Sequence, residues 1–182
     1  LLREHIRPED EIIIQLDVNA TKEVLEVLNR YYWVSYSGFP LNNDFASFKN
    51  NLIKHCSKDI IFQIDADEYP HTELITNLPA IMENNPEIDV FLVPRINTVA
   101  GLTQEHIGKW GWRVDEKQRI NFPDYQYRIC QNTPEIKWVG AVHERLDGYR
   151  NMALLPADDV YALGHHKTIQ KQEKQNNFYN TI

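Results

Sequence analysis

The sequence predicts an α/β fold with a mostly parallel central sheet flanked by helices. Three observations carry this expectation. Short, β-branched apolar runs occur at 11–16 and 59–64, the segments that follow or precede them repeat their apolar residues with a helical period, and acidic residues, Asp17 and Asp65, stand at the ends of the runs. Strands alternating with helices favour parallel pairing through right-handed crossovers, and ligand sites then lie beyond the carboxyl ends of the strands.

The first run, Glu11-Ile12-Ile13-Ile14-Gln15-Leu16, reads as a strand ending at Asp17, with Asn19 and Thr21 as good helix caps behind it. The next helix gathers Val24, Leu25, Val27 and Leu28 on one face and leaves Glu23, Glu26 and Arg30 elsewhere, as a surface helix packed on a sheet requires. A second strand is expected over 32–36. Asp44 then caps a helix whose Phe45, Phe48, Leu52, Ile53 and Cys56 recur close to every 3.6 residues. The run at 59–64 has the continuous apolar character of a strand buried on both faces. After Pro70 a helix carries Leu74, Ile75 and Leu78, and Pro79 is expected to end it or start a new turn. A strand over 90–93 should stop at Pro94. The region 98–123 holds three glycines and two tryptophans without a sustained period, and reads as a long functional loop. Alternation returns at Tyr125, Tyr127 and Ile129, then at Ile136, Trp138 and Val139, and a polar helical tail is expected from His166 onward.

The 182 residues, 42% of them hydrophobic and 25% charged, suit one domain spanning 1–182 with one substantial core. A formal charge of -7 argues against a nucleic-acid surface, because nonspecific affinity for nucleic acid comes from Lys and Arg neutralising phosphates. Cys56 and Cys130 have no metal-ligand spacing and read as buried free thiols. No stretch approaches the roughly 18 to 20 apolar residues of a membrane-spanning helix, and no signal-peptide core is visible, so a soluble, cytoplasmic protein with no transmembrane segment is expected. The opening Leu1-Leu2-Arg3-Glu4-His5-Ile6 reads as the tail of a helix leading into a strand, without an initiator Met, so a further N-terminal element is expected before it.

The sharpest chemical feature is Asp65-Ala66-Asp67-Glu68. Three carboxylates in four residues repel one another at the end of an apolar strand, so something positive should neutralise them. Hard divalent cations prefer carboxylate oxygens, and Mg²⁺ tends to use one or two of them with substrate phosphates. The competing reading is a solvated acidic turn, with Glu68 near a helix start where negative charge suits the dipole.

Asn43-Asp44-Phe45-Ala46, Lys49-Asn50, Leu52 and the run IIFQIDADE at 60–68 resemble the family 2 glycosyltransferases, in which a similar helix and strand lead into a DxD motif. Gln126-Tyr127-Arg128-Ile129 and Trp138-Val139-Gly140-Ala141-Val142-His143-Glu144 resemble the second half of that pattern, and the likeness spans about 11–167. The resemblance implies a GT-A nucleotide-diphospho-sugar transferase fold, divided into a nucleotide-sugar-binding part at 1–97 and an acceptor and catalytic part at 98–182. It also implies that the family's first strand precedes the first residue.

The implied activity is transfer of a sugar from a nucleotide-diphospho-sugar donor, UDP-hexose as the starting assumption, to a glycan or other hydroxyl acceptor. The reaction would use Mn²⁺ or Mg²⁺ and invert configuration. Asp65 and Asp67 would meet the ribose and the metal–pyrophosphate unit, with Asp67 the main metal ligand. Asp17 matches the acidic residue that recognises base or ribose, and otherwise reads as an Asx-type turn. An inverting transfer needs a base for the acceptor hydroxyl. Glu144 is the candidate, with His143 serving instead or orienting it, and a structural His-Glu pair as the competing view. Arg128 and Lys49 would offset charge on the departing diphosphate, or else be solvated surface charges. Of His165-His166-Lys167, where relatives place a residue closing over the metal, His165 is preferred, because adjacent side chains point apart. The alternative there is a water-exposed pair at a helix start. Trp110 and Trp112 are candidates for stacking on an acceptor sugar, or for packing their loop onto the core. Two other classes stay open: a non-catalytic nucleotide- or sugar-binding module, and another metal-dependent nucleotidyl or phosphate transferase, which usually brings a Gly-rich basic loop near the first strand.

Overall fold

The computed structural model describes residues 2–31 and 33–179. The elements run α1 (Leu2–His5), β1 (Ile13–Asp17), α2 (Lys22–Leu28), β2 (Ser35–Phe39), α3 (Phe45–Ile53), β3 (Ile60–Phe62), β4 (Glu68–Pro70), α4 (Thr72–Asn84), β5 (Val90–Ala100) and α5 (Gln104–Trp110). They continue with β6 (Ile120–Gln131), β7 (Lys137–Val139), β8 (Arg145–Asp147), β9 (Met152–Leu154), a 3-10 turn (Asp159–Tyr161), β10 (Leu163–Thr168) and α6 (Ile169–Tyr179). The fold is α/β as expected, but the main sheet is mixed rather than mostly parallel.

Its strands lie in the order β3-β6-β5-β10-β4, with β9 also on β5. The β3–β6, β5–β6 and β10–β4 pairs are antiparallel, while β10 and β9 both run parallel to β5. Strand–helix alternation in the first half could not reveal that the long β6 returns between β3 and β5. Strands β1 and β2 pair in parallel as a separate two-stranded sheet, tied to α3 where Gln15 Nε2 donates to Phe48 O at 2.6 Å. The second strand begins at Ser35, later than expected, and Tyr32 lies outside the described residues.

Side-chain alternation in the central strands builds the core on two faces. Val90 and Leu92 join Ala46, Ile61, Cys130, Trp138 and Leu146 on one side, whereas Phe91 and Val93 join Leu74, Ile129, Leu155 and Leu163 on the other. Because successive residues of a strand face opposite ways, a strand buried on both sides must be apolar throughout, as 90–93 is. Helix α3 covers the first face, with Asp44 capping it by accepting from Ser47 N at 2.9 Å. Helix α4 covers the second.

Several elements depart from the sequence reading. Pro79 neither ends nor restarts α4, which continues to Asn84. Leu74, Leu78, Ile81 and Met82 all pack on the same cluster, so the apolar stripe is anchored on both sides of the proline and compensates for the missing backbone donor. Pro94 does not stop β5, because along the edge that β9 and β10 share, β9 pairs only as far as Leu92 and β10 begins at Arg95. The proline sits in that gap. The expected loop over 98–123 contains the end of β5, helix α5 and the start of β6. Thr103 caps α5 in a capping box with His106, and Gly111 closes it with φ 64°. His165 and His166 lie on β10 rather than at a helix start, and α6 begins at Ile169. The apolar side of α2 is exposed, with Val24, Leu25 and Val27 each more than a third accessible, instead of packed on a sheet. Both cysteines are free, but only Cys130 is buried, which pushes its thiol up to about 12, whereas Cys56, just after α3, is half-buried rather than buried as expected. Among the described residues no helix is long and apolar enough to cross a membrane.

Gly148 follows β8 with φ 86°, and a Cβ there would stand 1.9 Å from the backbone oxygen of Glu135. Gly148→Ala should therefore destabilise the protein by more than about 1 kcal/mol, since alanine disfavours positive φ and the obstacle is main chain. Urea unfolding checks this: an unchanged midpoint would mean that the 133–136 turn moves aside freely.

Candidate active site

The acidic turn after β3 is built from backbone pairing. Gln63 N donates to Arg128 O at 2.8 Å, extending the β3–β6 ladder, and Glu68 N closes the turn on Asp65 O at 2.9 Å. Strand β4 then returns beside β10, with Glu68 opposite His165. The three carboxylates are thereby splayed onto different partners.

Glu68 is not a solvated residue near a helix start. Its side chain is 0% exposed and meets two arginines. Arg128 Nε donates to Oε2 at 2.8 Å and Nη2 to Oε1 at 2.7 Å, a bidentate pair, while Arg95 Nη1 reaches Oε1 at 3.0 Å. Burial works against the charge of Glu68, but the bonds and charges of Arg128 and Arg95 outweigh it and hold the carboxyl below its ordinary pKa. Burial likewise opposes the charge of Arg128, and its bond to Glu68 with the charges of Asp65, Glu68 and Glu144 overcomes it and raises the guanidinium. Arg128 is the extra residue of a β-bulge, between the pairs Phe91↔Ile129 and Leu92↔Tyr127. A bulge re-aims a side chain, and this one places Arg128 under the acidic turn.

Asp65 is held by two cations. Its Oδ2 accepts from Arg128 Nη2 at 2.6 Å, and its Oδ1 lies 3.2 Å from Lys49 Nζ. Lys49 also reaches Glu144 Oε1 at 2.7 Å and lies 4.4 Å from the ring centre of Trp138. Lys49 is not a solvated surface charge: it is 6% exposed, with a cation–π contact and two carboxylates replacing water. Trp138 is in turn oriented by Nε1 donating to Gln63 Oε1 at 2.7 Å. Glu144, Lys49, Asp65 and Arg128 thus form one chain of charges across α3, β6 and the turn after β7. His143 stands beside Glu144, exposed, with φ 53°.

Asp67 points the other way, toward β10. Its Oδ2 lies 3.2 Å from His165 Nε2 and 3.6 Å from Lys167 Nζ. The bond from His165, with the charges of His165 and Lys167, holds its carboxyl far below the usual range against the opposing effect of burial. Burial pushes Lys167 down, opposed by Asp67. His165 is buried and His166 exposed, as alternation on a strand dictates.

The remaining sequence candidates stand at the margins. Asp17 terminates β1 and its Oδ1 accepts from Asn19 N and Nδ2 at 3.1 and 3.2 Å, which is the Asx-type turn. Trp110 stacks on His106 and lies 4.6 Å from Trp112, centre to centre. A cleft of about 2110 Å³ takes in Lys49, Asp65, Asp67, Glu144, His165 and Trp112. Arg95, Asn97 and Asp124 went unnoticed in the sequence. Their signal lies in the period of two: Arg95 and Asn97 are two apart on β5, as are Asp124, Gln126 and Arg128 on β6, giving a polar face on strands that are otherwise apolar or aromatic.

An acidic turn at a strand end, backed by the buried Arg128 and the half-buried Arg95, thus opens on a cleft with a lysine and a histidine on an α/β sheet. The chain belongs to glycosyl transferase family 2, whose family model matches residues 1–139. That range takes in Lys49, Asp65, Asp67 and Arg128, while Glu144 and His165 lie beyond it. Comparison with individual curated proteins gives no match. Family membership supports a glycosyltransferase-type activity and, in general terms, a nucleotide-sugar donor and an acceptor.

Proposed function

We propose that the protein transfers a sugar from a nucleotide-diphospho-sugar to an acceptor hydroxyl with inversion of configuration, assisted by Mn²⁺ or Mg²⁺, with UDP-hexose as the first donor to try. The observation that carries this reading is the division of labour in the acidic turn: Asp65 is matched by Lys49 and Arg128, whereas Asp67 faces the cleft beside His165 Nε2. The donor chemistry fits a divalent cation at Asp67 and His165. The Asp67 side chain is 54% exposed, and one carboxylate with one imidazole suits an ion that keeps waters and takes phosphate oxygens. Among the described residues no group of three or more such side chains is preassembled, which agrees with a shell completed by the donor. Asp65, with both oxygens on cations, then serves the donor ribose rather than the metal.

When bound, the cation would neutralise charge on the departing nucleoside diphosphate. Lys49 adds positive charge at the same mouth, and Arg128, behind the carboxylates, fixes Asp65 in place. Glu144 takes the acceptor proton, with His143 beside it. Asp17 and Asp65 meet the nucleoside, and Trp112, backed by Trp110, offers an aromatic face to an acceptor sugar.

The test is calorimetric titration of UDP into the protein with and without Mn²⁺, repeated with Asp67→Asn. Binding that needs Mn²⁺ in the wild type and weakens at least about tenfold in the variant is expected. Mn²⁺-dependent binding of equal strength in both would remove Asp67 from the metal site, and a panel of other nucleoside diphosphates identifies the base.

A further inference from the structure

We propose that Asn97 and Asp124 are positioning residues that fix the tautomer of His165, so that its Nε2 lone pair faces Asp67 and the two form a seat for a divalent cation. The inference rests on the metal reading above and adds the residues that make a histidine usable there.

The argument runs outward from Asp124. Its Oδ2 accepts from Arg95 Nε and Nη2 at 3.0 and 2.7 Å and from Asn97 Nδ2 at 2.7 Å, while its Oδ1 accepts from Gln126 Nε2 at 2.8 Å. Facing only donors, Asp124 acts as acceptor alone, so the Asn97 amide must turn its NH₂ toward it. The carbonyl Oδ1 of Asn97 is then left for His165 Nδ1, 2.6 Å away. An amide oxygen only accepts, so Nδ1 must carry a hydrogen. In the neutral ring the other nitrogen is then the bare one, and the bond that Nε2 gives Asp67 belongs to the ring carrying both hydrogens, whose Nε2 proton the cation would replace. That nitrogen, Nε2, is the atom 3.2 Å from Asp67 Oδ2. Two lone-pair donors held this close, one of them on a buried ring, are arranged to share a cation.

The sheet makes the relay rigid. Asn97 and His165 are register partners on the parallel β5–β10 pair, and Arg95 is opposite Asp124 on β5–β6. Arg95 also bonds Glu68, which is opposite His165 on β4–β10. Four neighbouring strands therefore hold the ring and its orienting groups. Such outer partners commonly set ring orientation and ligand basicity at metal sites.

The experiment reads the ring nitrogens directly, by long-range ¹H–¹⁵N correlation spectra of metal-free protein labelled at histidine, at pH 8, with His165 assigned by the loss of its signals in His165→Gln. The wild type should show a protonated Nδ1 and a bare Nε2. Asn97→Leu removes the acceptor, and Asp124→Asn frees the Asn97 amide to turn over; in both, the Nε2–H form should grow. Mn²⁺ affinity, followed by the electron paramagnetic resonance of the free ion, should fall about ten- to a hundredfold in the same variants. A wild-type ring protonated at Nε2, or a tautomer unchanged by both substitutions, overturns the proposal. The expected tautomer shifts combined with no Mn²⁺ binding in the wild type would uphold the positioning role and remove the metal reading instead.

Discussion

Arg128→Met is expected to destabilise the protein by about 3 kcal/mol, toward the lower end of the cost of breaking a buried ion pair, because Arg95 remains on Glu68. Glu68 is fully enclosed and takes both bonds of a bidentate pair from Arg128. Methionine fills much of the same space but offers no donor, which leaves Glu68 one contact from Arg95 at 3.0 Å and a longer one from Asp65 N at 3.3 Å. Adding Glu68→Gln should return a substantial part of the loss, because a neutral amide costs far less to bury than a carboxylate that has lost its bidentate partner. Urea unfolding of the single and double variants measures both effects. A loss below about 1 kcal/mol in the single variant would show that water or Arg95 replaces Arg128 without penalty.

The pH dependence has a definite sign. Because Arg128 and Arg95 lower the pKa of Glu68 in the folded state against the opposing effect of burial, its contribution to stability is complete above the unfolded-state value and is lost as pH falls through the lower folded-state value. In Arg128→Met the carboxyl keeps its burial and loses its main partner, so protonation relieves it. The gap in stability between wild type and variant should shrink on acidification, and a gap that widens toward acid would contradict the assignment.

Glu68 also marks where sequence reading reached its limit. The acidic turn was legible because three carboxylates at the end of an apolar run have no packing use, and position relative to the strand could be read from periodicity. Which carboxylate faced which partner could not, since that depends on β4 reversing beside β10 and on a bulge that aims Arg128. Lys49 shows the same limit. Its place on α3 was readable from the apolar spacing around it, but not that Trp138 and two carboxylates, brought up by β7 and by the turns after β3 and β7, would enclose it. Strand β10 was hidden because Leu163-Gly164-His165-His166-Lys167-Thr168 has no apolar alternation; its pairing comes from β5 on one side and β4 on the other. Helix α5 could have been recovered, since Thr103 and Gly111 frame it with a cap at each end.

Glu144→Gln should lower turnover by about 10²- to 10⁴-fold, the usual range for removal of a general base, while nucleotide binding stays near the wild-type level. The substitution is nearly isosteric, and the amide oxygen can still accept from Lys49 Nζ, which lies 2.7 Å from Oε1. Both the turn after β7 and the Lys49–Asp65 contact should therefore survive, and only the capacity to take a proton is lost. That separation distinguishes a base from a structural His-Glu pair, whose loss would weaken the turn and with it binding. His143→Ala serves as the comparison: it removes the exposed neighbour and leaves Glu144 and Lys49 in the sequence, and should change turnover much less. Steady-state kinetics against calorimetric affinity gives the two quantities independently. Wild-type turnover in Glu144→Gln together with a collapse in His143→Ala would move the proton to the imidazole. Equal losses of affinity and turnover in Glu144→Gln would instead mean that Glu144 acts by holding Lys49 in place.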